Sequence, residues 1–111
     1  MKTDALKRAC TETLVLTLLK EGPLHGYEMA KEVERRSEGY FVFKHSTLYP
    51  VLHRLEKRGL ISGEWSTGEE GERPRKYYAL TPKGRGAHGR DTEALQRFFR
   101  MISTLIPEVA T

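Results

Sequence analysis

The chain has 111 residues, the length of one small domain, and its apolar fraction of 38% and charged fraction of 31% are typical of a globular protein. These values exclude the collagen-like and disordered classes. The longest apolar stretch is interrupted at Thr17, so no segment is expected to span a bilayer. Cys10 is the single cysteine, which excludes an internal disulfide framework. No signal peptide is recognisable, so a cytoplasmic location is expected.

The net charge of +4 is too small to identify a polyanionic partner by itself. Its distribution along the chain is more informative. Residues 1–40 hold seven bases and seven acids, whereas residues 41–63 hold four bases and one acid. Residues 73–90 contain six bases and no acid. The basic partner-binding surface is therefore expected after residue 40, with a merely solvated basic face as the alternative.

The first part of the chain predicts two helices. In residues 4–20 apolar side chains recur with a period near 3.6, until Gly22 and Pro23 end the helix. Residues 24–26 read as a short connection, and a second, shorter helix follows up to about residue 37. The apolar positions of the first helix are Leu6, Ala9, Cys10, Leu14, Leu16 and Leu18.

A third helix is predicted over residues 47–58, where leucines again recur with a helical period. Ser46 is expected to cap this helix by accepting a hydrogen bond from an amide of the first turn. Pro50 is placed in the first turn, because a proline deeper inside would break the helix. Gly59 ends it, since glycine readily takes a positive φ.

Beyond Gly59 the period changes from 3.6 to 2, which predicts strands over residues 61–65 and 76–80 joined by a long loop. Thr81 and Pro82 then start a last helix, a capping residue followed by one preorganised for the first helical position. This helix is expected to stop at Pro107.

Three helices followed by a β-hairpin form the element order of a winged helix-turn-helix. The predicted fold class is therefore mainly α with a small β-hairpin (α+β), with the winged helix-turn-helix in residues 1–81 and one C-terminal helix in residues 82–111. In this architecture the third helix enters the major groove and the hairpin contacts phosphates beside it. Small or polar residues suited to that role are Lys44, His45, Ser46, Thr47, Tyr49 and His53.

Each of these residues also has a structural alternative. Ser46 is first of all a helix cap, Tyr49 and His53 would equally line the contact between two helices, and Thr47 would simply face solvent. A winged helix used only for binding proteins, without DNA, is the competing function. It predicts an acidic or mixed third-helix face, whereas residues 41–63 are basic.

Four sequence strings, in order and at consistent distances, resemble the PadR family of bacterial transcriptional regulators. They are GPLHGYEM at residues 22–29, TLYPVLHRLE at 47–56, GLI at 59–61 and RKYYALT at 75–81, and with their intervals they cover about residues 14–86. The resemblance implies a dimeric winged-helix repressor, often of genes for detoxification, efflux or the response to phenolic compounds. Because the chain ends after one helix, it is similar to the short members of the family.

The resemblance also implies which side chains meet DNA. Tyr27 would contact a phosphate through its hydroxyl, and wing bases would contact the backbone or the minor groove. The wing departs from a plain basic tip, because Glu69, Glu70 and Glu72 would repel phosphates. The expected DNA-binding residues are Tyr27, Lys44, His45, Ser46, Thr47, Tyr49, Pro50, His53, Arg54, Arg73, Arg75 and Lys76.

The last helix carries an apolar stripe that is too wide for one small domain to cover. A stripe of that size predicts an interface with a second copy, and the alternative is that the helix folds back on its own domain. The stripe consists of Leu95, Phe98, Phe99, Ile102 and Leu105. Gly84, Gly86 and Gly89 are interpreted as a compliant joint before it, and their replacement by alanine is expected to raise stability.

A pocket for a flat hydrophobic effector would be lined by Trp65, Phe98, Phe99 and Met101, although all four also suit an ordinary core. Catalysis and cofactors are not expected, because the sequence contains no phosphate loop, no nucleophile elbow and no triad. No metal site is expected either, since His25, His45, His53 and His88 show no ligand spacing with a cysteine or carboxylate.

Overall fold

The computed structural model of the chain describes residues 1–67 and 71–110. Within these residues the chain forms four α-helices, one antiparallel sheet of strand order β1-β3-β2 and a short 3₁₀ helix, which confirms the predicted fold class. The elements are α1 (Asp4–Leu19), β1 (Leu24–His25), α2 (Gly26–Arg36), α3 (His45–Lys57), β2 (Ile61–Ser66), β3 (Arg75–Leu80), α4 (Pro82–Leu105) and the 3₁₀ helix Pro107–Ala110.

The hydrophobic core lies between the first three helices and the sheet. Only the second half of α1 contributes to it, and Leu6 in the first half is 52% exposed, so the predicted apolar stripe of α1 is wrong at that end. The largest fully buried side chains are Val15, Leu16, Met29, Leu48, Leu52, Leu55 and Ile61.

The short connection predicted after α1 is in fact a third strand. Leu24 pairs with Tyr78 and His25 with Tyr77, so β1 adds an antiparallel edge to the predicted hairpin. A strand of two residues shows no periodicity, and its partners lie about fifty residues away in the sequence. The strand was therefore not recognisable from local sequence.

The predicted start of α3 is wrong by two residues. Lys44, with an extended backbone, occupies the N-cap position without a side-chain cap, so Ser46 lies inside the helix and does not cap it. Pro50 consequently lies in the second turn. A proline has no N–H, so the Ser46 carbonyl loses its helical partner, but both residues are exposed and water can satisfy that oxygen.

The start of α4 is confirmed: the Thr81 hydroxyl accepts a hydrogen bond of 3.0 Å from the Gly84 amide, and Pro82 is the first helical residue. Gly84 itself is a packing residue. A Cβ atom there would overlap the carbonyl oxygen of Leu60 and lie 2.7 Å from Leu80 Cδ1. Only Gly86 and Gly89 have room for a side chain, so the interpretation of all three glycines as a joint is wrong at Gly84.

Substituting these glycines one at a time tests the close packing. Gly84→Ala is expected to lower the free energy of unfolding by about 1–3 kcal/mol, because the added methyl group must displace the backbone at Leu60. Gly89→Ala is expected to raise it by up to about 1 kcal/mol, because its surroundings are open. Urea denaturation of the two variants measures both effects, and equal stabilities would contradict the packing.

A buried histidine predicts how stability depends on pH. His88 of α4 lies against α1, with its Nε2 atom 2.8 Å from the Thr17 hydroxyl oxygen, and burial lowers its pKa below the usual 6.5, with Lys20 adding to the effect. Below about pH 6.5 the unfolded chain therefore binds more protons than the folded one at this residue. Stability should fall as the pH falls through this range. Thermal denaturation of the wild type and His88→Gln at several pH values should show a smaller acid-induced loss in the variant.

Candidate nucleic-acid interface

The junction between β1 and α2 positions the helix-turn-helix. Gly26, the first residue of α2, is buried, and a Cβ atom there would lie 3.0 Å from the Tyr49 hydroxyl oxygen. A glycine at this position therefore lets Tyr49 of α3 approach the N-terminus of α2. Tyr49 nevertheless remains partly exposed, so it both lines the helix contact and reaches the surface, as the two alternatives for this residue anticipated.

His25 caps α2 in a capping box. The Glu28 amide donates to His25 Nδ1 at 3.3 Å, and the Glu28 carboxylate accepts from the His25 amide at 3.1 Å. Histidine is an unusual cap, so sequence reasoning missed this role, although the spacing of three residues to a glutamate was an available signal. The cap fixes the start of α2 and leaves Tyr27, at its second position, 59% exposed.

The exposed face of α3 contains the residues predicted to meet DNA. The leucines and Val51 on the opposite side are buried in the core, so the orientation of this face is set by packing. The His45 and Tyr49 rings stack with their centroids 5.5 Å apart, which orders two of the side chains at the start of the helix. The exposed predicted residues are Lys44, His45, Ser46, Thr47, Tyr49, Pro50, His53 and Arg54.

One acidic residue of α1 reduces the basic charge beside this face. Glu12 lies 3.7 Å from Arg54 Nε and accepts a hydrogen bond of 3.1 Å from Arg58. Arg54 is therefore already paired within the chain. Neither pair was recognisable from sequence, because the partners are more than forty residues apart.

In the wing, which is the β2–β3 hairpin, two predicted bases have partners. Arg75 Nη1 lies 2.9 Å from His25 Nε2, which connects the wing to the start of α2. Lys76 donates to Glu56 of α3 at 2.9 Å, and this hydrogen bond raises the pKa of Lys76. The Lys76 side chain passes over Gly63, where a Cβ atom would overlap it. Lys76 thus braces the wing against α3.

The remaining described residues of the wing include exposed charges of both signs and an exposed tryptophan. Arg73 and Glu72 are exposed, whereas Glu69 and Glu70, the other acids expected to repel phosphates, lie outside the described residues. Trp65 on β2 is 69% exposed. It lines a cleft of about 630 Å³ between the wing and the starts of α2 and α3, together with Tyr27, Tyr49, Arg75 and Lys76.

The structure separates the residues predicted to form an effector pocket. Trp65 lies in the wing cleft, whose lining includes none of Phe98, Phe99 and Met101. These three residues are exposed on α4. A pocket that used all four would need the wing of one copy and the α4 of another.

Most side chains in the second half of α4 are exposed. The buried residues of this helix are confined to Gly84, Ala87 and His88, and Leu105 near its end is 78% exposed. The alternative that the helix folds back on its own domain is therefore wrong for this half. The predicted stripe consists of Phe98, Phe99 and Leu105, which are exposed, and Leu95 and Ile102, which are half-buried.

Two other kinds of site are absent from the part of the chain that the structure describes. Residues 1–67 and 71–110 contain no group of three or more histidine, cysteine, aspartate or glutamate side chains arranged to hold a metal ion. No helix in this part has both the length and the apolar character needed to cross a membrane.

The chain matches known transcriptional regulators in sequence and in fold. The model of the transcriptional regulator PadR-like family matches residues 15–90. The transcriptional regulator Rv3488 of Mycobacterium tuberculosis is 35% identical over 96 residues, which is 86% of this chain and 85% of the relative. A transcriptional regulator from Clostridium thermocellum superposes with a TM-score of 0.86 at 31% identity, over 96% of this chain and 99% of the other.

A third comparison includes nucleic acid. The crystal structure of Bacillus subtilis PadR in complex with operator DNA has a TM-score of 0.64 and 26% identity, and covers 80% of this chain and 47% of that protein. The shared fold, the exposed α3 face and the family match agree, and these relatives are regulators and not enzymes. The chain belongs to the PadR-like family of transcriptional regulators.

Proposed function

We propose that the protein is a homodimeric repressor that binds an inverted-repeat operator. The observation that carries this proposal is the exposed, basic to neutral face of α3, whose opposite side is fixed in the core. The operator complex of the Bacillus subtilis relative supports DNA as the partner rather than another protein.

In this proposal the exposed face of α3 reads base edges in the major groove. Thr47 and Tyr49 carry hydroxyl groups near the start of the helix, where the backbone amides also favour an anion. Tyr27, exposed at the start of α2, contacts a phosphate. The remaining residues of the face are Lys44, His45, Ser46, Pro50 and His53.

The bases of the interface differ in how freely they can approach a phosphate. Arg73 is exposed and Arg75 lines the cleft beside α2, so these two are the main proposed phosphate contacts of the wing. Arg54 and Lys76 are paired with Glu12 and Glu56. They would contact DNA only by sharing or leaving these pairs.

The stripe on α4 is the proposed dimer interface. Phe98, Phe99 and Leu105 of the stripe are exposed in one chain, and Leu6 of α1 is a further exposed apolar side chain. Association through one patch on both copies gives a two-fold axis, so two α3 helices would meet half-sites about one helical turn apart. A small aromatic effector bound among Phe98, Phe99 and Met101 would then release the repressor by changing the spacing of these helices.

The α3 face is tested by substitutions that separate sequence readout from phosphate binding. Thr47→Ala is expected to weaken binding to the promoter fragment by about 1 kcal/mol, the free energy of one hydrogen bond, and to leave binding to random duplex DNA unchanged. Arg73→Ala should weaken both and reduce the salt dependence by about one phosphate contact. Mobility shifts with the DNA upstream of the gene, at two salt concentrations, measure these effects.

Arg97→Ala serves as the matched control, since Arg97 is an exposed arginine on α4 outside the proposed DNA surface. It should bind DNA like the wild type. If Thr47→Ala and Arg73→Ala also bind like the wild type, the proposed surface is wrong. If no upstream fragment or random duplex is shifted at low salt, DNA binding itself is wrong.

The dimer is tested by placing a charge in the stripe. Phe98→Glu is expected to dissociate the dimer, because an unpaired carboxylate would be buried in the interface, and to abolish binding to the inverted repeat. Sedimentation velocity gives the mass and circular dichroism the helix content. Thr104→Glu, which adds the same charge on the opposite side of α4, should remain dimeric. Equal masses for the two variants would contradict the interface.

A further inference from the structure

One face of the β2–β3 hairpin packs on the hydrophobic core near its base and extends past the core towards its tip. Because side chains alternate along a strand, the cross-strand pairs Ile61–Leu80, Gly63–Tyr78 and Trp65–Lys76 lie on one face of the sheet. The first two pairs contact the core, and Ile61 is 2% exposed. The indole of the third pair is 69% exposed, although it belongs to the same inward-facing row.

The indole of Trp65 faces a cleft with a distinct chemistry. Two exposed tyrosines, Tyr27 and Tyr49, and the buried Tyr78 line it with Arg75 and Lys76. None of the described residues that line this cleft carries a carboxylate. Glu56 neutralises Lys76 from the α3 side. The guanidinium of Arg75 contacts the imidazole of His25 at 2.9 Å, and the Glu28 carboxylate lies 3.2 Å from that same imidazole nitrogen, outside the lining of the cleft. Arg75 is therefore the cation of the cleft that has no direct carboxylate partner among the described residues.

The charge and aromatic lining of the cleft favour one of two partners that could contact the indole, a second copy of the chain or a DNA strand. The surface proposed for contact with a second copy is the exposed half of α4, which carries Arg97 and Arg100 and so does not complement Arg75. A DNA strand presents a negative phosphate next to the apolar face of a deoxyribose. The cleft has a cation next to exposed aromatic rings, which matches that alternation.

We propose that this cleft receives the sugar–phosphate backbone of one DNA strand, with Trp65 packed on a deoxyribose and Arg75 on the adjacent phosphate. The inference rests on the proposed DNA-binding function and adds a specific contact to it. Trp65 is thereby assigned to the DNA surface and not to an effector pocket. The contact reads no sequence, so it should form on operator and random duplex DNA alike.

The single tryptophan of the chain makes the contact directly observable, because the indole emission reports Trp65 alone. The free protein should be strongly quenched by acrylamide. Addition of random-sequence duplex DNA at low salt should protect the emission, at the same DNA concentrations that produce a mobility shift.

Substitutions separate packing from charge. Trp65→Ala is expected to weaken duplex binding about tenfold and to leave the slope of log K against log salt unchanged, because it removes no charge. Arg75→Ala should weaken binding and also reduce that slope by about one phosphate contact. Trp65→Phe keeps an aromatic ring and should retain most of the affinity. Since Trp65 is largely exposed, both Trp65 variants should keep the wild-type helix content. Circular dichroism checks this for them and for Arg75→Ala, which also loses the contact with His25.

The outcomes distinguish this inference from the function on which it rests. If the duplex is shifted but Trp65 stays open to acrylamide, or Trp65→Ala binds like the wild type, the cleft contact is wrong and DNA binding stands. If protection rises with protein concentration in the absence of DNA, a second copy covers the indole and the inference is overturned. If no duplex is shifted at low salt, both the contact and the proposed function are wrong.

Discussion

The packing at His25 and Gly26 determines how the parts of this molecule are joined. The buried imidazole of His25 caps α2, lies beside the guanidinium of Arg75 and packs edge-on against Tyr77, while its backbone pairs with β3. The next residue, Gly26, has no side chain and so admits Tyr49 of α3. Two adjacent residues thus connect the sheet, both helices of the helix-turn-helix and the wing. A larger side chain at Gly26 would displace the Tyr49 ring, which belongs to the exposed face of α3.

Ion pairs within the chain select which bases remain available to a phosphate. Glu12 holds Arg54 and Arg58 from α1, and Glu56 holds Lys76 between α3 and the wing. The formal charge of a segment therefore overstates its capacity to bind a polyanion. These pairs are partly exposed, so they contribute little to stability. They orient the side chains of Arg54, Arg58 and Lys76 beside or along α3.

The long helix α4 has two halves with different environments. Its first turns are held closely, because Gly84 lies against the Leu60 backbone and His88 against Thr17. Its second half projects from the domain with its apolar stripe exposed. A helix anchored at one end and free at the other can transmit a change at the proposed dimer interface to the domain that carries α3.

The sequence by itself determined the order of the elements, the winged helix-turn-helix class and the exposed face of α3, because these depend on periodicity and on local signals such as Thr81 and Pro82. The four strings at residues 22–29, 47–56, 59–61 and 75–81 together indicated the family, which the match over residues 15–90 confirms. Only the tertiary structure decided the strand at Leu24–His25, the start of α3 at His45 and the packing role of Gly84. It also decided that Arg54 and Lys76 are paired and that Trp65 faces the wing cleft. The start of α3 is a local difference, since an extended Lys44 takes the N-cap position. The other features share one physical reason: they depend on contacts between residues far apart in the chain, which local propensity and spacing do not encode.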